Sequence, residues 1–266
     1  MPSTYAHYCF GVQALELMPG DVRRTIHRFR QLFDVGLHGP DIFFYNNIFF
    51  KSSAGFLGVK YHDQTGEEFF TRVCRNLRLE PSEGGAAYLY GVLCHYCLDA
   101  VCHGYVRKAE AKGEVTHARL ETEFDRRLLE MDGKVPPHTQ DFSQHIHLTP
   151  GECETVARFY PPAGSANVKN SVKNMNTFVK LFAIPDGVRR RALEKSVAAV
   201  SKRYGDMLMT EQPIAQYTPY VEGLLEKYNK ALAVFPEMLT QLQAHMTYSA
   251  PLREEFQKTF DGEVKK

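Results

Sequence analysis

The run LCHYCLDAVCHGYV, residues 93–106, sets His95, Asp99 and His103 four residues apart in a segment otherwise apolar enough to be a buried helix. At about 100° of rotation per residue the three side chains fall at about 0°, 40° and 80°, a single stripe with neighbours about 5–6 Å apart. Three metal-ligating groups then share one face. The plainer alternative is a pair of satisfied core histidines flanking a buried aspartate. A second pair, His117 and Glu121 in VTHARLETEFD, repeats the four-residue spacing behind Thr116, which reads as a helix N-cap. A histidine and a carboxylate so placed can chelate one zinc ion, and a carboxylate such as Asp99 can bridge two, the arrangement that makes a nucleophile of water.

The same run carries three cysteines, which suggest a rival site. Cys94 and Cys97 point to about −100° and 200° on the helical wheel, away from the stripe, and only Cys102, near −20°, approaches it. Closed structural zinc sites draw their thiolates from turns and knuckles, whereas a cysteine inside a periodic helix behaves as a small buried hydrophobe. The cysteines are therefore not expected to be ligands. His7, Asp41 and His62 sit among apolar and aromatic neighbours in YAHYCF, GPDIFFY and VKYHDQ, each weak evidence alone. His38 could be a further ligand or a donor behind one, but as a loop histidine it reads as neither; His145 and His147 in QHIHL have the groups to chelate a metal but read as surface or packing residues.

Apolar residues recur at helical spacing over nearly the whole chain, with no run of period-two alternation, so the fold class expected is all-α, a multi-helix bundle. Helices are expected at 3–18, 20–35, 64–79, 84–110, 116–131, 150–160, 166–182, 186–204 and 217–248, the last with a break near Pro236. Thr149 to Glu152 has capping-box spacing with proline at the first helical position, and IPDG at 184–187 separates two helices. One domain over 1–266 is expected, with 1–130 bearing the candidate ligands, 150–266 a helical part of unassigned role, and 132–150 the only loop-rich boundary.

Composition narrows the function classes. At 266 residues and 44% hydrophobic content the chain can bury a sizeable core. Lys+Arg 32 against Asp+Glu 31 gives no broad basic footprint, so nucleic acid is not an expected partner. No stretch approaches the roughly 20 apolar residues of a membrane span and no signal peptide is seen, which points to the cytoplasm and to reduced thiols among the six cysteines.

In sequence order AHYCF, HGPDIFF, KYHD, CHYCLD, CHGYV and THARLETEF resemble the zinc-dependent phospholipase C family, whose fold is shared by single-strand-specific zinc nucleases; the resemblance covers residues 1 to about 130. It implies a helical bundle with up to three zinc ions in a cleft. Carried over, Asp41, His62, His95 and Asp99 would hold one ion, His103, His117 and Glu121 a second, and His7 with a bridging Asp99 the third. It implies hydrolysis of a phosphodiester, in the lipases a phospholipid, with peripheral membrane contact. The chain departs from the pattern in three places. The secreted enzymes use a processed N-terminal residue at the third ion, whereas here only a short lead precedes His7, leaving the Pro2 amine as the substitute. Asp99 and His103 are three intervening residues apart rather than five, so one helix can run through both. The chain after 150 reads as helix rather than as an added β-sandwich, so attack on membranes is not implied.

Asp41 would serve both as ligand and as general base toward the attacking water. The aromatic run DIFFYNNIFF, 41–50, reads as core, with a lipid-contacting wall beside the ligands as the alternative. The rivals to a phospholipase C-like hydrolase are a zinc nuclease of the same fold and a non-catalytic protein whose helices a metal staples. Replacing Cys94 and Cys97 together with serine is expected to leave metal content per chain unchanged by elemental analysis. Metal loss with the circular dichroism spectrum intact would transfer the site to the thiols.

Overall fold

The computed structural model describes residues 4–46 and 55–265. Its described residues form α-helices and short 3-10 turns with no strand; only the isolated bridges Thr65–Thr259 and Lys258–Val264 pair extended backbone. The twelve α-helices run α1 Thr4–Glu16, α2 Gly20–Arg28, α3 Arg30–Gly36, α4 Gly55–His62, α5 Gly66–Leu79, α6 Glu83–Ala111, α7 His117–Met131, α8 Pro150–Ala157, α9 Ser165–Phe182, α10 Val188–Val200, α11 Lys202–Asp206 and α12 Thr218–Tyr248.

Helix α6 is the axis of the fold. Ser82 caps it, its hydroxyl accepting from the Gly85 N–H at 3.0 Å. Its sequence is apolar on every side, as a helix surrounded by others requires, and it stays buried from Ala87 through Ala100. Helices α1, α2, α3, α5, α7, α8 and α12 all pack on it, so residues from both ends of the chain meet the stripe of His95, Asp99 and His103.

Two glycines set how closely α3 lies. A Cβ on Gly91 would stand 2.3 Å from the Phe33 carbonyl oxygen, and one on Gly36 2.5 Å from that of Tyr88, so the two backbones touch where any side chain would wedge them apart. Just beyond α3 the chain turns at Gly39, φ +47°, a conformation glycine adopts without cost and most residues do not. A Cβ there would meet the His95 ring at 2.5 Å. The 3-10 segment Gly39–Tyr45 that follows is thereby seated with Asp41 beside the stripe. On the other flank α7 begins at Thr116, whose hydroxyl accepts from the Arg119 N–H, and this cap places His117 and Glu121 on the first turns.

Several elements differ from expectation. Segment 20–35 is two helices, broken at Phe29 (φ −122°, ψ 44°), which leaves α3 free to follow α6. Helix α4, unanticipated, carries His62 at its end. Segment 186–204 divides at Ser201, whose extended backbone and side chain cap α11. Pro236 lies on the exposed side of α12 and the helix runs through it. As the spacing of Asp99 and His103 allowed, α6 continues unbroken past His103. The capping box at Thr149 and Glu152 is formed. Of the aromatic run, Ile42, Phe43 and Tyr45 are core and Phe44 is half-buried; residues 47–50 lie outside the described residues, as does Pro2.

Gly91→Ala should force α3 off α6 and destabilise the protein by about 1–3 kcal/mol, the usual cost of overpacking. Urea unfolding checks this, and a midpoint equal to that of the wild type would show the contact to be looser than described.

Candidate metal centre

All eight candidate ligands read from the sequence meet in one buried cluster. Asp99 lies at its centre: Oδ1 is 3.2 Å from His7 Nε2 and 3.6 Å from His103 Nε2, and Oδ2 is 3.2 Å from His95 Nε2 and 3.9 Å from His62 Nε2. His62 Nε2 is 3.0 Å from Asp41 Oδ1, and Glu121 Oε1 is 3.0 Å from His117 Nε2 and 3.5 Å from His103 Nε2. Three sets could each hold an ion, with ligand atoms within 4.8 Å of one another: His7, His95 and Asp99; Asp41, His62 and His95; and His103, His117 and Glu121. Seven of the eight residues are buried; the His117 side chain alone is 28% exposed, which opens that end of the cluster to the surface.

Each of the five imidazoles turns Nε2 toward the carboxylates. Gly58 shows how one of them is fixed: its carbonyl can only accept, so His62 Nδ1 donates to it at 2.7 Å and Nε2 is left with a lone pair. Behind His103, Nδ1 lies 3.2 Å from Asp261 Oδ1, an ion-pair contact rather than a linear hydrogen bond. Most of the inward contacts share that character, the hydrogen bond between His117 Nε2 and Glu121 Oε1 at 3.0 Å excepted. Both nitrogens of the fully buried His95, Asp41 Oδ1, Asp99 Oδ2 and Glu121 Oε2 have no hydrogen-bond partner among the described residues, despite the short distances. A polar network built for its own sake would align donors with acceptors, because each buried group left unpaired costs about 1–3 kcal/mol. Donor atoms that crowd together without bonding can hold a cation, and imidazole nitrogen and carboxylate oxygen are among the ordinary ligands of zinc.

The electrostatics point the same way. Burial would raise the Asp99 carboxyl, but the imidazoles of His103, His95 and His7 hold it well below the usual range. Asp41 is lowered likewise, burial being outweighed chiefly by the adjacent His62, and Glu121 by His117 and then His103. Among the bases, burial drives His95 down to about 3, whereas at His62 and His103 it is overcome, by Asp41 and by Asp99 respectively, and both are raised. Three ionised carboxylates thus share one desolvated site, a charge that only protonated histidines or cations can balance.

The cluster opens on a cleft of about 560 Å³ lined by His62, His117 and Asp261, by the apolar Phe44 and Val59, and by the cationic Lys202 and Arg203. Three nearby residues, Asp125, Glu110 and Asp261, escaped the sequence reading. Asp125, one turn after Glu121, accepts from the Tyr5 and Ala6 N–H groups at 3.0 and 2.8 Å and so pins the start of α1, which carries His7. Its burial raises its carboxyl well above the ordinary value. Glu110 accepts from the His117 N–H at 3.2 Å. His145, expected at the surface or in packing, is buried against His38, Nε2 to Nε2 at 2.9 Å, and stacked on Tyr8; a spacing argument had nothing to link two histidines over a hundred residues apart. Asp261 had no periodic element around it to mark it. All six cysteines are free and buried, and none belongs to the three sets.

A helical bundle whose central helix contributes His95, Asp99 and His103 to a buried cluster of histidines and carboxylates has the groups to hold metal. The particular family follows from the sequence: the family model described as zinc dependent phospholipase C matches residues 6–182, and the chain belongs to that family. The match extends beyond the region of motif resemblance, through α9, and ends before α10. No curated protein and no solved structure matches the chain at a significant level.

Zinc should raise the melting temperature of chelator-stripped protein, because a ligand at about 100 times its Kd adds about 2.7 kcal/mol to the native state. Equal melting with and without added zinc, followed by calorimetry, would mark the cluster as a polar network that binds no metal.

Proposed function

We propose that this chain is a zinc-dependent phosphodiester hydrolase of the phospholipase C type, with two or three ions held by His7, Asp41, His62, His95, Asp99, His103, His117 and Glu121. The observation that carries the proposal is the crowd of inward-facing, unbonded donor atoms around Asp99. Zinc bound there would supply positive charge to the phosphate and acidify a water. The chain's own residues do the rest. Asp99 offers one carboxylate oxygen to the His7 and His103 side and the other to the His95 and His62 side, which suits it to bridge. Asp41, kept ionised beside His62, takes the proton of the attacking water. A carboxylate held so low is a weak base, adequate only for water already acidified. His62 and His117 stand where the cluster meets the cleft, so the phosphate comes to their edge of the site.

The cleft favours a phospholipid over a polynucleotide. Phe44 and Val59 give it an apolar side, and Phe56 and Val59 are exposed on the adjoining helix α4, 65% and 50%, where they can meet acyl chains at a lipid surface. The described residues of the cleft show no row of stacking aromatics alternating with cations of the kind that tracks a single strand.

Purified zinc-loaded protein offered phosphatidylcholine micelles, a soluble phosphodiester and single-stranded DNA is expected to turn over the first two. Cleavage of the DNA alone would establish the nuclease rival, and zinc binding with no turnover a stapling role. Asp99→Asn should abolish hydrolysis and lower bound zinc by more than one equivalent, because a bridge serves two sites. Glu121→Gln should weaken one site and leave zinc elsewhere. Unchanged zinc in Asp99→Asn, by elemental analysis, would rule out the bridge.

A further inference from the structure

Residues beyond 182 lie outside the family match, yet two of them, Phe260 and Asp261, reach the cluster. After α12 the chain returns along α5 and α6. The Lys258 carbonyl accepts from the Gly66 N–H at 2.9 Å and from the Tyr96 hydroxyl at 2.9 Å, and the Phe260 N–H donates to the Gln64 carbonyl at 3.3 Å. The Phe260 ring is set between His62 and His95, centroids 6.1 and 6.0 Å away. A turn closed by Thr259 N–H on the Glu263 carbonyl at 2.7 Å then presents Asp261, whose own carbonyl accepts from Arg107. Its carboxylate reaches His103 Nδ1 at 3.2 Å, on the side of the ring away from Glu121 and Asp99.

We infer that Asp261 is a positioning residue of the metal centre: it holds the His103 proton on Nδ1 and keeps Nε2 aimed at the set formed with His117 and Glu121. The inference rests on the zinc-site reading above. A carboxylate behind a ligating imidazole selects the tautomer that can bind metal and makes the other nitrogen a better donor; losing it costs typically 10–100-fold in metal affinity. The placement is specific. His103 is the ligand at the end of the stripe, where α6 leaves the most buried part of the core, and its ring has no backbone carbonyl on Nδ1 of the kind that fixes His62. The segment 258–263 thus puts a carboxylate behind His103 where Gly58 puts a carbonyl behind His62, acting by charge at 3.2 Å rather than through an aligned hydrogen bond.

The test is zinc competition against a chromogenic chelator, resolved by equivalents, on the full chain. Asp261→Asn is expected to weaken one equivalent of zinc about 10–100-fold and leave the tighter zinc unchanged, with Asp261→Glu recovering most of the loss. Glu263→Gln, which removes only the 3.6 Å contact to Arg107 from the same segment, is expected to bind as the wild type does. Equal loss in Glu263→Gln and Asp261→Asn, or wild-type affinity in Asp261→Asn, would overturn the role of the carboxylate while leaving the zinc-site reading in place. Wild-type protein that takes up no zinc would overturn both.

Discussion

A carboxylate with almost no access to water sits at the middle of the longest buried helix, and the architecture can be read as its consequences. An uncompensated charge at such depth would be ruinous to stability. Asp99 has four imidazoles within 3.9 Å. Helical periodicity provides two of them from α6 itself. The other two, His7 and His62, belong to α1 and α4, so the positions of those helices are tied to the balance of charge as well as to packing. The same demand explains why the neighbouring segments are anchored so firmly: α1 by Asp125 at its first N–H groups, α7 by the Thr116 cap, and the Asp41 segment by a glycine contact that brings α3 onto α6.

What could be read in the sequence was what local geometry determines. The stripe on α6 follows from 3.6 residues per turn, and the i, i+4 pair on α7 from the same rule plus a capping threonine; both stand in the structure where the rule puts them. His7, Asp41 and His62 were found through motif order, since no periodicity connects residues on three separate elements. Asp261 was out of reach, because its partner lies more than 150 residues away and its surroundings are a turn. Asp125 carried a visible spacing to Glu121 but points to α1 rather than along the ligand stripe. The misread boundaries have local causes as well. Phe29 and Ser201 interrupt helical patterns without a glycine or proline to mark them, while Pro236, the conspicuous breaker, faces solvent, where water can satisfy the carbonyl it frees.

The cleft joins the two kinds of information. The ligands that line it, His62 and His117, come from the part of the chain that matches the family, as do Phe44 and Val59, whereas Lys202, Arg203 and Asp261 come from beyond it. The eight candidate ligands thus all fall inside the match, whereas the cleft that reaches them is completed from outside it.

The uneven burial of the cluster has a kinetic side. His117 faces the cleft, whereas His7 and His95 are enclosed by stacked rings and by the Gly39 turn. Ions held at the two ends would then exchange with solution on separate clocks. One beside His117 could be drawn off by a chelator through the open cleft. One between His7 and His95 would leave only when α1 or the Gly39 turn swings away, so its residence time would be set by the rate of local unfolding rather than by the strength of its bonds.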